Sequence, residues 1–341
     1  MQRRRIAGVG ASALAAGALV LAGAATPAGA TDAGTTPAGD GPVAHAAANT
    51  AAEQESARSY WTPERMRSAV PVDQTLKLTA MPDRSTVERG EPSVIRPQLP
   101  DADPDASLDT DQPKAFPHTG GPWTDGGEVT QTTGRVFFTM NGQESSCSGD
   151  AVVSDNGNTV ITAGHCVKYQ GAWHEDWVFV PGYEDGNAPH GTWVAEQTLT
   201  TPEWDASEDM NYDVGAAVVQ PLDGQNLTDV VGGQGLTFNA DYNIDQYAFG
   251  YPAADPYDGE QLTYCSGTTF TDPLLTEDHG MDCDMTGGSS GGPWFAEFDE
   301  ATGVGLQSSV NSFGYVFLPD TMFGPYFGAE AQELYETAQA S

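Results

Sequence analysis

The sequence predicts an all-β body that ends in a single helix, and two observations carry that prediction. From Gly134 onward, short apolar runs alternate with turn clusters of Gly, Asn, Asp and Pro. Helical patterning is clear only in the tail, about 328–338. The four cysteines, Cys147, Cys166, Cys265 and Cys283, all lie in the β-patterned region.

Read in order, the chain opens with Arg3-Arg4-Arg5, a small-residue apolar run from Ile6 to about Ala25, and Ala28-Gly29-Ala30. A basic start, an apolar stretch and an A-x-A site predict an export signal over 1–30, and hence a secreted, extracellular product. Residues 31–56, rich in Ala, Thr, Gly and Pro, read as a flexible linker. Thr62 followed by Pro63 predicts a short helix through Arg67, with threonine as the N-cap and proline in the first turn. The whole of 31–120 is expected to be a removable pro-segment of low order. Beyond it, Val136–Met140 reads as a strand. Ala151–Ser154 and Thr159–Thr162 read as a hairpin around Asp155-Asn156-Gly157-Asn158. Trp177–Val180, Val214–Gln220, Gln246–Phe249, Gln261–Tyr264, Pro293–Ala296 and Val304–Gln307 complete the strands, and Pro221–Gln234 reads as a connection between halves spanning 121–234 and 235–341.

Export makes disulfides the expected state of the cysteines. Three pairings are open, and joining sequence neighbours would close two short loops, each contributing roughly 3 kcal/mol. No C-x-x-C pair points to a zinc site. Of the 13 Lys and Arg residues only Arg135 and Lys168 lie beyond 120, against 34 Asp and Glu in the same stretch, a net charge of −32 there. Such a surface excludes nucleic acid as a partner, because nothing could neutralise phosphates. Nor is a membrane partner expected after export. The acidic segment Glu203 to Asp209 would suit calcium, although it has no EF-hand pattern. His118, His174, His190 and His279 have no metal-ligand spacing and are expected at the surface.

Three segments carry chemistry. Thr162-Ala163-Gly164-His165-Cys166 puts a histidine at a strand end. Asn211-Tyr212-Asp213-Val214 puts an aspartate at the start of an apolar strand. Thr286-Gly287-Gly288-Ser289-Ser290-Gly291-Gly292-Pro293 puts a serine on a glycine-rich turn. A serine hydroxyl is a weak nucleophile. It needs a base in reach, a group to orient that base, and N–H donors for a developing oxyanion. His165, Asp213 and Ser290, with the N–H groups of Gly288 and Ser290, would meet those needs.

The same segments resemble those of the trypsin-like (chymotrypsin-fold) serine peptidases, most closely the bacterial secreted branch that includes glutamyl endopeptidases. The resemblance spans roughly 125–341 and implies two six-stranded antiparallel β-barrels with the site between them. It makes His165 the general base, Asp213 its orienter and Ser290 the nucleophile, and sets Cys147 where the partner of Cys166 is expected. It implies no cofactor, a monomer, and protein or peptide substrates. The chain departs from the animal enzymes at Ser289, where they carry an aspartate, and at Thr286, where they carry a cysteine. Asp284, six residues before Ser290, has the spacing of an aspartate that receives Arg or Lys, and Gln307 and Ser308 align with the pocket strand. A body nearly free of Lys and Arg suits cleavage after basic residues, and Lys114–Ala115 would release it. The rival expectation is a catalytically silent binding protein on the same fold. An esterase is disfavoured, because the strand–turn–helix context of G-x-S-x-G is missing.

Overall fold

The structure, a computed structural model, describes residues 41–72, 75–76, 85–98 and 116–341. The expected export signal lies outside the described residues. Six strands close a barrel in the order Thr133–Met140, Gln143–Ala151, Thr159–Thr162, Gly215–Val219, Trp193–Thr200 and Glu175–Pro181. Every neighbouring pair is antiparallel, and the last strand returns to the first through Val178 opposite Phe137. Strand alternation sorts the side chains to two sides. Val136, Phe138 and Phe179 pack inside with Val160, Trp177 and Leu199. Phe137, Val178 and Val180 face Phe249, Tyr251 and Phe295 of the second half.

The second half forms a seven-stranded and a five-stranded sheet in place of one six-stranded ladder. Part of the difference is strands added from ahead of residue 121: Ser93–Ile95 pairs with Gly235–Phe238, and His118–Pro122 with Thr263–Thr268. The disulfide Cys265–Cys283 joins the two sheets. Its counterpart Cys147–Cys166 pins the Gln143–Ala151 strand to the turn after Thr162. The terminal helix Ala329–Gln339 buries Ala331, Leu334, Tyr335 and Ala338, spaced along one face, and the Tyr335 hydroxyl donates to the Val153 carbonyl at 2.7 Å.

The low order expected of 31–120 does not hold for its described parts. Val43–Ala46 adds a strand to Trp193–Thr200. Thr50 and Glu53 form a reciprocal capping box that starts the helix Ala51–Tyr60, a local signal set within an alanine-rich stretch. Thr62 caps the helix Pro63–Ser68, with Pro63 in its first turn. The Trp61 indole donates to the Asp176 carbonyl at 2.7 Å, which seats this layer on the barrel. Among the described residues, no helix is long and apolar enough to cross a membrane.

Candidate active site

The sheet register brings His165 and Asp213 together. Gly215 lies opposite Thr162 on adjacent strands, so the turn after one strand faces the residues before the other. His165 sits in the single 3₁₀ turn Gly164–Cys166, held by the disulfide at Cys166. Gly164 must lack a side chain, since a Cβ there would run into the Trp204 ring. Asp213 is fully buried. One of its oxygens accepts the His165 backbone N–H at 2.8 Å, and the other faces His165 Nδ1 at 2.7 Å. The latter also accepts the Ser312 hydroxyl at 2.5 Å. Three donors thus converge on one carboxylate and hold the imidazole with Nδ1 toward it.

Ser290 lies on a turn anchored to both halves. The Ser290 carbonyl accepts Ser148 N–H at 2.7 Å, and Ser148 Oγ donates to the Gly288 carbonyl at 2.9 Å. Asn311 Nδ2 donates to the Ser289 carbonyl at 3.0 Å. Gly288 and Gly291 have φ of +95° and +80°, a region open to glycine at no steric cost. Ser289 does not substitute for a carboxylate; its hydroxyl donates to the Thr286 carbonyl of its own turn at 2.8 Å. His165 is fully buried and Ser290 is 5% exposed. His165 Nε2 has no hydrogen-bond partner, so no bond joins it to Ser290 in this state.

A cavity of about 370 Å³ opens beside Ser290, with Asp284, Met285, Thr286, Ser312, Gly314 and Tyr315 in its wall. Asp284 is half-buried and accepts the Tyr257 hydroxyl at 2.6 Å, and its N–H donates to the Thr119 carbonyl at 2.8 Å. Asp255 and Asp320 also reach this wall. Gln307 and Ser308 do not. Both are buried in the strand Val304–Val310, where Gln307 Nε2 donates to the Ser309 carbonyl and Ser308 Oγ to Gln246. The pocket edge runs through Ser312–Tyr315 instead, a few residues further on. Ser312, Asn311, Ser148 and Tyr257 were missed from sequence. No spacing rule marks them, because each acts from a distant segment.

Two of the four histidines expected at the surface are buried. His174 stacks on Phe138 with ring centres 4.2 Å apart, and its Nε2 lies 2.9 Å from the His165 carbonyl. His279 packs against Tyr242 and Tyr326. Burial lowers both pKa values to about 4, so both rings are neutral in the fold. An unfolded histidine binds its proton near pH 6.5, so this contribution to stability is whole above that value and is lost as pH falls toward 4. Asp150 has the opposite sign: burial pushes it up to about 8, and one of its oxygens has no partner. Its contribution is whole below the ordinary carboxylate range and declines as pH rises to about 8. In thermal scans from pH 4 to 9, Asp150→Asn is expected to raise the midpoint by several degrees at the alkaline end and to leave the acid arm unchanged.

Within the acidic segment that would suit calcium, Asp205 is paired with Lys168. The one group among the described residues with metal-ligand proximity is Cys147, His165 and Cys166. Its two sulfurs are joined as a disulfide and its histidine serves Asp213, so these donors do not fit a metal.

No family model matches the chain. A curated protein, the extracellular metalloprotease of Bacillus subtilis (strain 168), is 39% identical over 71 residues, which is 20% of this chain. The match spans about a fifth (22%) of that relative's length. Among solved structures, the protease Anisep from Arthrobacter nicotinovorans is 43% identical with a TM-score of 0.61. The match covers 65% of this chain and 100% of that one. The thermostable serine protease AL20 from an extremophilic microorganism is 40% identical with a TM-score of 0.60, covering 63% of this chain and 99% of that one. A Glu endopeptidase shares the fold at 18% identity and a TM-score of 0.52, over 66% of this chain and 98% of its own. Matched along essentially the full length of two such proteases at 40% identity or better, the chain belongs to the bacterial serine proteases of the chymotrypsin fold.

Proposed function

We propose that the protein is a secreted, monomeric serine endopeptidase that cleaves protein or peptide substrates after Arg or Lys. In this reading 1–30 is the export signal and 31–120 a removable segment, and 121–234 and 235–341 are the two halves of the enzyme. The observation that carries it is the convergence of His165 Nδ1, His165 N–H and Ser312 on Asp213, next to the Ser290 turn. Once the site is open to a substrate, His165 takes the Ser290 proton as the oxygen attacks the scissile carbonyl. The N–H groups of Gly288 and Ser290 receive the oxyanion, and His165 returns the proton to the leaving amine. Water then repeats the sequence on the acyl-enzyme. Asp213 holds the imidazole in place and stabilises the imidazolium that forms.

Two features support a basic P1 residue. The cavity wall holds Asp284, Asp255 and Asp320 and no cation among its lining residues. The two basic residues of the body are also out of reach of a protease. Arg135 is buried against Glu260, and Lys168, its side chain 12% exposed, is tied to Asp205. A protease with this preference would be spared by its own sequence.

The test is cleavage-site profiling of an unbiased peptide library by the processed protein and by its Ser290→Ala variant. Serine-dependent cuts after Arg or Lys are expected, and Asp284→Ala should lower kcat/KM for those peptides about 100-fold, the scale of an unpaired charge in a pocket. Cuts after other residues would leave the peptidase standing without the role of Asp284. Equal behaviour of the two proteins would favour the silent binding protein.

A further inference from the structure

The N-terminal extension reaches the reacting centre itself. Val70 and Pro71 pair in parallel with Ser145 and Ser146. Val72 N–H donates to the Ser146 carbonyl at 3.0 Å, and the Val72 carbonyl accepts Gly288 N–H at 2.9 Å. The Val72 side chain is buried in the apolar cluster that holds Cys147 and Cys166. A few residues later, Thr75 and Leu76 pair in parallel with Gly314 and Tyr315, on the edge that walls the cavity beside Ser290. Asp73 and Gln74 lie outside the described residues.

We propose that Val70–Val72 and Thr75–Leu76 form an inhibitor built into the chain, bound at the cleft in a direction that cannot be cut. The proposal rests on the reading of Gly288 as an oxyanion donor. While Gly288 N–H is bonded to Val72, no substrate carbonyl can use it. While Gly314 and Tyr315 are paired, no substrate backbone can add to that edge.

The segment is not a substrate caught before reaction. Cleavage after Val72 would require the residues before it, the acyl half, to lie along the pocket wall. Those residues, Val70 and Pro71, lie on Ser145 and Ser146, and it is Thr75 and Leu76, which follow Val72 in sequence, that pair along the wall. Val72 is also apolar, whereas the cavity presents carboxylates. His165 Nε2, without a hydrogen bond, is not set to take a proton from Ser290.

Anchors on both sides hold the segment in place. Upstream, Arg65 pairs with Glu144 at 2.7 Å and Arg67 donates to the Asp185 carbonyl at 2.9 Å. Downstream, Tyr212 donates to the Thr86 carbonyl at 2.8 Å, Arg89 lies 4.8 Å over the Tyr242 ring, and Ser93–Ile95 adds to the second half. Cations of the extension thus meet carboxylates and rings of an acidic body. Tethering gives a weakly binding strand a high effective concentration, so inhibition ends only when the extension is cut and leaves.

The test replaces Val70–Leu76 in the full chain with a Gly/Ser stretch of equal length. Two readouts are taken. One is the rate at which a fluorophosphonate labels Ser290 in chains confirmed uncut by mass. The other is amide exchange at Gly288 in Ser290→Ala versions, which cannot process themselves. The replaced chain is expected to label at least about tenfold faster than the uncut natural chain, with Gly288 exchange faster by a similar factor. Val72→Gly should move both readouts the same way by less, and serves if the replaced chain does not fold. Equal labelling and equal Gly288 exchange in natural and altered chains would overturn the proposal. If neither these chains nor the processed body labels, the serine reading fails, and Gly288 exchange alone still decides whether the segment occupies the cleft.

Discussion

Asp213→Asn is expected to lower kcat by about 10⁴-fold while leaving KM and the melting temperature close to their natural values. The carboxylate accepts from His165 N–H, His165 Nδ1 and Ser312 Oγ. An asparagine of the same shape offers one acceptor oxygen, and its amide nitrogen can only donate. If that nitrogen faces His165, Nδ1 must become the acceptor and the proton moves to Nε2, where it can no longer receive one from Ser290. Steady-state kinetics on the processed protein, with a peptide found by profiling, would measure the loss. A drop of less than tenfold would mean that Asp213 does not set the tautomer. Ser312→Ala removes one donor and keeps the acceptor, so its effect should be much the smaller of the two.

Arg135→Met is expected to destabilise the protein by about 3–5 kcal/mol, the usual cost of breaking a buried ion pair from one side. The side chain is 1% exposed, within 3.3 Å of Glu260 and 3.1 Å of Ser146 Oγ. Its guanidinium lies over the rings of Phe137 and Tyr183, about 5 Å from each centre. Methionine fills much of the volume but leaves Glu260 with the Tyr183 hydroxyl and the more distant Arg67. Denaturant unfolding would measure the change, and a shift below 1 kcal/mol would show that Glu260 is satisfied without Arg135. Ser146 carries the carbonyl that receives Val72 N–H, so the same substitution should also loosen the extension.

The parts legible in the sequence were those written in short windows. The strand-and-turn pattern announced an all-β body, though not its strands Gln143–Ala151 and Trp193–Thr200, and Thr62-Pro63 marked a helix start. The His165, Asp213 and Ser290 segments each carried local chemistry that a reader could weigh. What escaped lay in pairings between distant segments. Gln307 and Ser308 were placed at the pocket by counting along a strand, yet the irregular register between Pro293–Asp299 and Val304–Val310 and the break before Phe313 move the pocket edge to Ser312–Tyr315. The order in the extension was hidden for a similar reason. Val43–Ala46 and Ser93–Ile95 are too short to hold a strand alone and become strands by completing the edges of sheets formed elsewhere. Composition describes what a segment can bury alone and does not describe what it can borrow.

Under the proposed removal of the extension, those two added strands bear on the colloidal behaviour of the body left behind. Departure of Val43–Ala46 would bare one side of the backbone of 197–200, and departure of Ser93–Ile95 would bare the outer side of Gly235–Phe238. Each is a row of open N–H and C=O groups that a second molecule could pair with. A body carrying a net charge of −32 over 121–341 meets its own copies with strong repulsion at the distances where such pairing begins. The acidity that reads as mere solubility in the sequence would then act as the guard on two edges, taking over from the strands that covered them.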